Sequence, residues 1–120
     1  MIVAANVLVA VVALLHLGFL VLEMFLWTKP VGRRVFGLPS DFMAASAALA
    51  ANQGLYNGFL AAGLIWGLLL GPEGFSIKVF FLSCVLIAGV FGAVTAKRSI
   101  LWIQAMPAAV ALGVLWLARS

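Results

Sequence analysis

The sequence predicts an all-α, polytopic membrane protein built as a bundle of four transmembrane helices, with no sizeable soluble domain. Three observations predict it. Of the 120 residues, 67% are hydrophobic and 8% charged, against roughly 45–50% and about 25% in soluble domains. A soluble fold of this size leaves too much of its surface in water to hide that apolar content. The apolar residues fall into four segments, about 2–27, 42–70, 76–96 and 100–118, each near or above the roughly 20 residues that cross a bilayer. The charges collect between these segments. The length fits one compact transmembrane domain over residues 1–120, without a soluble linker, low-complexity tract or strong internal repeat.

The first segment begins Met1-Ile2-Val3, with no basic stretch ahead of it, and runs unbroken to Trp27. It is longer than the apolar part of a secretory signal and meets Lys29, Arg33 and Arg34, so the expectation is a retained helix. Pro30 and Gly32 end it. Residues 28–41, TKPVGRRVFGLPSD, form the first connection. Ser40 or Asp41 is expected to cap the second helix by accepting from its free N–H groups. The second segment is long enough to begin before the bilayer or to tilt. Gly71-Pro72-Glu73-Gly74 reads as a tight turn, and Lys97-Arg98-Ser99 separates the third span from the fourth. Pro107 lies inside the fourth span and should bend it.

Charge sets the expected orientation. The first and third connections share one side and carry Lys29, Arg33, Arg34, Lys97 and Arg98, while Lys78 and Arg119 fall on the other. The positive side is normally cytoplasmic, which places both termini outside. Trp27, Trp66, Trp102 and Trp116 fall near span ends, as interfacial anchors do. The net charge of +4 does not point to nucleic acid, because the basic residues are scattered with no basic face or interleaved aromatic patch. Cys84 is the only cysteine. It excludes an intrachain disulfide and reads as a small buried hydrophobe.

A few polar residues inside the spans carry the functional reading. His16 and Glu23 are seven apart and share a helix face. Counted back from Trp27, Glu23 lies about 6 Å and His16 about 16 Å into the membrane. In the second span Asn52 pairs with Tyr56 and Gln53 with Asn57 at i,i+4, making a continuous polar face. With the second helix antiparallel to the first, Asn52 and Gln53 match the depth of Glu23, and Asn57 that of His16. Gln104 in the fourth span returns to the level of Glu23. His16, Glu23, Asn52, Gln53, Tyr56, Asn57 and Gln104 are therefore the expected ligand-binding set. Arg33 and Arg34 are the expected contact for a phosphate or lipid headgroup. The plainer alternative is that these groups only bond helices together, and that the charged connection only sets topology.

No metal or other cofactor is expected. The chain has one histidine and one cysteine, and His16 and Glu23, two turns apart on one helix, are too far apart to share a coordination shell. Nothing singles out His16 as a haem ligand. Gly54 and Gly58, the Gly63, Gly67 and Gly71 repeat, and Gly89 with Gly92 supply small faces through which helices can approach, including those of a homodimer.

The stretches LEMFLWTKPVGRRVFGL, LAANQGLYNGFLAAGLIWG, IKVFFLSCVLIAGVFGA and KRSILWIQAMPA resemble the small bacterial membrane proteins grouped as the DUF1304 family. The resemblance covers almost the whole chain. It implies a multi-pass protein of the bacterial cytoplasmic (inner) membrane and marks the same polar positions, but it carries over no catalytic assignment.

Three functions fit these residues. One is a small transporter or ligand-binding protein whose intramembrane site is built around Glu23, with a small molecule or a lipid as ligand. Its plan is similar to that of small multidrug transporters, in architecture only. Another is a membrane-embedded enzyme acting on a lipid-like or amphipathic substrate, with Glu23 or His16 as acid or base. It lacks a recognisable nucleophile–base pair. The third is an accessory subunit whose polar groups serve assembly. Orientation is directly testable. On a Cys84→Ser background, single cysteines placed in segment 28–41 or 97–99 should react with an impermeant thiol reagent only after the cells are opened. Labelling next to Arg33 in intact cells would reverse the topology.

Overall fold

A computed structural model describes residues 1–119. Among them the elements are α1 (Ile2–Met24), α2 (Pro30–Phe36), α3 (Ser40–Ala45), α4 (Ala47–Leu69), a 3₁₀ turn (Gly71–Gly74), α5 (Phe75–Thr95), a π-helical turn (Leu101–Ala105) and α6 (Met106–Arg119). No strand occurs among the described residues. Three helical stretches are long and apolar enough to cross a membrane: Ile2–Met24, Gly71–Thr95 and Leu101–Arg119. α4, with 23 residues, has the length of a span, but Asn52, Gln53 and Asn57 interrupt its apolar run and it does not join the three. Large apolar side chains stand exposed on every long helix, among them Val3, Leu69, Ile87, Phe91 and Leu117. So much outward apolar surface suits lipid rather than water.

The contacts divide the chain into two compact units. Among the described residues one comprises Met1–Ala13 and residues 62–119. Within it α5 and α6 form an antiparallel hairpin whose core includes Leu82, Val85, Ala105, Ala108, Ala111 and Leu115. Small residues set the approach. A Cβ added to Gly89 would lie 2.6 Å from the Ala105 backbone nitrogen, so only glycine lets α5 close on the π-helical turn. At the far end Phe75 and Trp116 meet edge to face, with centroids 5.2 Å apart, in the geometry that aromatic quadrupoles favour.

The π-helical turn answers the expectation for Pro107. Proline has no N–H and its ring crowds the carbonyl four residues back. Met106 N–H bonds to the carbonyl of Leu101, five residues back. The widened turn precedes the proline, which then sits at the second position of α6, where the lost N–H costs little. α5 closes with Ala96 and Lys97 both donating to the Gly92 carbonyl, at 2.8 and 3.0 Å. The hydroxyls of Ser83 and Thr95 donate back to Val79 and Phe91, each at 2.7 Å, which satisfies them without any partner outside the helix.

The other unit is Leu14–Ala61. Here α1 ends earlier than residue 27, and segment 28–41 contains a helix of its own. Pro30 opens α2 and Gly37 closes it in the left-handed conformation, φ 64°, which costs glycine little. α2 folds close under the end of α1. Gly32 is buried, and a side chain there would strike the carbonyl oxygens of Leu26 and Trp27. Trp27 packs tilted against Phe36, with centroids 4.8 Å apart, and its Nε1 donates to Ser46 Oγ at 3.2 Å. Ser46 Oγ donates in turn to the Phe42 carbonyl at 2.7 Å. The capping expectation needs correction. Pro39 precedes α3, no side chain caps it, and Ser40 and Asp41 lie inside its first turn. Asp41 still favours that end through the helix dipole.

Substitution at the α5 contact should separate packing from propensity. Gly89→Val drives methyls into the Ala105 backbone and should cost roughly 1–3 kcal/mol, as overpacking does. Gly113 has open space around it, so Gly113→Ala should be neutral or gain up to about 1 kcal/mol. Thermal denaturation of both in one detergent reads the difference.

Candidate functional site

α1 and α4 position the central pair. Glu23 is the penultimate residue of α1, and the Asn57 side-chain amide donates to its Oε1. Two glycines make the bond reachable. A Cβ at Gly54 would lie 2.7 Å from Met24 Cγ and 3.0 Å from Glu23 Cβ, and one at Gly58 2.6 Å from Leu20 Cδ1. The GxxxG face of α4 thus receives Leu20, Glu23 and Met24, which explains why Asn57, one residue before Gly58, meets the carboxylate. Asn57 is buried and Glu23 half-buried.

The two carboxylate oxygens differ. Oε1 is held by Asn57, while Oε2 takes no hydrogen bond from a described residue. No buried side-chain polar atom among the described residues lacks a partner, so Oε2 is accessible. Arg33 and Arg34 occupy the last turn of α2, are both exposed, and make no ion pair with Glu23. Such an arrangement can hold a proton or a cation at a fixed oxygen.

The other expected residues divide. His16 is buried, 1% exposed, on the same unit as Glu23 and two turns further into α1, with the Phe19 ring edge-on at 5.2 Å. Asn52, Gln53 and Tyr56 are exposed on α4, with Tyr56 tilted against Phe59 at 6.2 Å. Depth matching sets Asn52 and Gln53 beside Glu23 and Asn57 beside His16; in the structure it is Asn57 that meets Glu23, and Asn52, Gln53 and Tyr56 stay exposed. Gln104 belongs to the other unit, half-buried on the π-helical turn.

That other unit holds a polar cluster the sequence reading missed. Lys78, taken there only as a charge at a span end, is 2% exposed, and its Nζ donates to Asn6 Oδ1 at 3.0 Å. A cavity of about 690 Å³ opens there, lined by Ile2, Asn6, Glu73, Phe75, Lys78 and Arg119, among others. The signal was present in the sequence: Asn6 is the one polar side chain before His16, and Lys78 lies inside the third apolar run.

A family model described as "Protein of unknown function (DUF1304)" matches residues 10–116. The chain is similar to the uncharacterized protein YpaA of Lactococcus lactis subsp. lactis, 28% identical over 103 residues that cover 84% of this chain and 87% of the relative. No solved structure matches.

The Glu23–Asn57 bond can be weighed by substitution. Asn57→Leu keeps the volume but leaves the half-buried carboxylate without its donor. It should lower stability by about 1–3 kcal/mol, read as a reduced melting temperature in detergent. Gln53→Leu, at an exposed neighbouring position, should stay within about 0.5 kcal/mol.

Proposed function

This chain belongs to the DUF1304 family, and on that premise we propose that it is a small transporter or ligand-binding protein using Glu23 as its intramembrane binding carboxylate. The observation that carries the proposal is the asymmetric carboxylate, fixed by Asn57 through one oxygen and open at the other. Placing an ionisable side chain in a span costs roughly 2.5–3.5 kcal/mol on insertion scales. An interhelical polar bond returns only about 0.6 kcal/mol on average. Helix bonding alone is thus a poor reason for a glutamate, and an amide pair would serve assembly more cheaply. The open oxygen suits a proton exchanged against a cationic or amine-bearing molecule. His16, deeper on the same face of α1, extends the polar path.

In this proposal α4 is the second of four spans, and the membrane is the bacterial cytoplasmic one, with termini outside. The polar residues that lower the apolarity of α4 are those that need a partner. Asn52, Gln53 and Tyr56 are exposed on the single chain, and amides at membrane depth face protein or water, not lipid. A second copy of the chain covering that face of α4 completes the site.

Tetraphenylphosphonium is a suitable probe. The purified protein should bind it and release a proton as it does so. Glu23→Gln, which keeps size and hydrogen bonding, should fold with an unchanged melting temperature, bind at least about tenfold more weakly (a loss near 1.4 kcal/mol) and release no proton. Glu23→Asp should retain part of the binding. If Glu23→Gln bound and released protons like the wild type, Glu23 would be a packing residue and the accessory-subunit function would replace transport.

A further inference from the structure

We propose that the cavity around Lys78 and Arg119 is a second, independent site that binds an oxyanion on an apolar body: the phosphodiester of a lipid headgroup or the carboxylate of a free fatty acid. A lysine near a span end ordinarily extends its stem and carries the ammonium out to water. Lys78 does the opposite. Its residue is 2% exposed, and Gly67 makes room for its stem, since a Cβ there would lie 2.7 Å from Lys78 Cγ. Among the described residues the ammonium meets only the neutral acceptor Asn6 Oδ1, at 3.0 Å. Among the described residues no carboxylate pairs with it. A buried cation without a counter-charge is unfavourable unless something else supplies one, and the described residues accept from one of its three N–H donors.

Arg119 brings the second cation. Its guanidinium lies 4.4 Å from the centroid of the Phe75 ring and 5.4 Å from that of Trp116. The two rings hold the guanidinium beside the cavity, where its N–H groups suit a planar or tetrahedral oxyanion. Glu73 also lines the cavity but makes no ion pair with either cation. Among the described residues two cations and one carboxylate line the cavity, a balance that a monoanion matches. Ile2, Phe75, Leu115 and Ala118 supply the apolar wall, and about 690 Å³ falls within the roughly 300–1,000 Å³ of small-molecule sites. The cavity lies where the start of α1, the turn after α4 and the end of α6 meet, at the level of headgroups if these helices cross a bilayer.

The full chain is reconstituted in nanodiscs of phosphatidylcholine containing a minor fraction of either phosphatidylglycerol or oleate. Native mass spectrometry after release into detergent then counts retained anions. The wild type should keep one anion. Retention of phosphatidylglycerol identifies the headgroup as the source, and retention of oleate alone identifies the free carboxylate. Lys78→Met, which keeps the stem and removes the charge, should weaken retention by about tenfold or more, the scale of one charge-assisted hydrogen bond. Lys97→Met removes the same charge outside the cavity and should leave retention unchanged. If Lys78→Met does not fold, Arg119→Gln decides, with weakened retention supporting the site and unchanged retention overturning it. The proposal is also overturned if the wild type keeps neither anion, if folded Lys78→Met retains as much as the wild type, or if Lys97→Met loses as much as Lys78→Met.

Discussion

Hydrocarbon offers no hydrogen bonds, and the helical backbone and paired polar side chains of this chain answer that constraint. Backbone groups must be satisfied within each segment, so the described residues are overwhelmingly helical. Where a helix cannot continue regularly, the groups it frees are recaptured nearby. Met106 reaches five residues back ahead of Pro107, Lys97 does the same to Gly92, and Leu26 to Val21. Hydroxyls turn back to their own helix. A polar side chain that neither turns back nor finds water must find another side chain, as Trp27 does with Ser46, Glu23 with Asn57 and Lys78 with Asn6; the last two pairs, which involve charged groups, are the candidate sites.

Glycine is what brings these pairs within reach. Gly54 and Gly58 admit Leu20, Glu23 and Met24 against α4, and Gly67 admits the stem of Lys78. In water the hydrophobic effect would press helices together around larger residues. In lipid that force is absent, so close backbone approach and a few polar bonds carry association. The same glycines then determine which polar groups can touch. Asn57 is adjacent to the Gly54–Gly58 face and bonds to Glu23, whereas Asn52 and Gln53 stay exposed.

Much of this was legible in the sequence, and the misses share a cause. Long apolar runs mark helices whatever their neighbours do, so α1, α5 and α6 were readable from composition alone. Counting residues along antiparallel helices brings α4 amides to Glu23 but chooses the wrong ones. It matches Asn52 and Gln53 to Glu23 and Asn57 to His16, whereas Asn57 makes the bond, because the Gly54–Gly58 face, not residue depth, decides which side of α4 receives Glu23. The helix at Pro30–Phe36 was hidden in what looked like a basic connection, because its stability comes from Gly32 and Phe36 packing on Leu26 and Trp27, a tertiary effect. Ser40 looked like a cap and is instead a first-turn residue, since Pro39 already fixes the entry. Lys78 was read as a topology charge because charge counting records a residue's position along the chain, not whether its stem turns inward. The position of α4 as a span was the least legible point, because the residues that make it interesting are those that reduce its apolarity.

The central claim is that Glu23 is a membrane-embedded carboxyl group with one oxygen held and the other open to a ligand. Treatment with the apolar reagent dicyclohexylcarbodiimide at mildly acidic pH, followed by peptide mass spectrometry, tests it most directly. That reagent modifies protonated carboxyl groups reachable from an apolar phase. The account predicts that Glu23 is modified in preference to the exposed Asp41 and Glu73, and that tetraphenylphosphonium protects it. Failure of Glu23 to react while the exposed carboxyl groups do, or equal reaction with and without the cation, would contradict it.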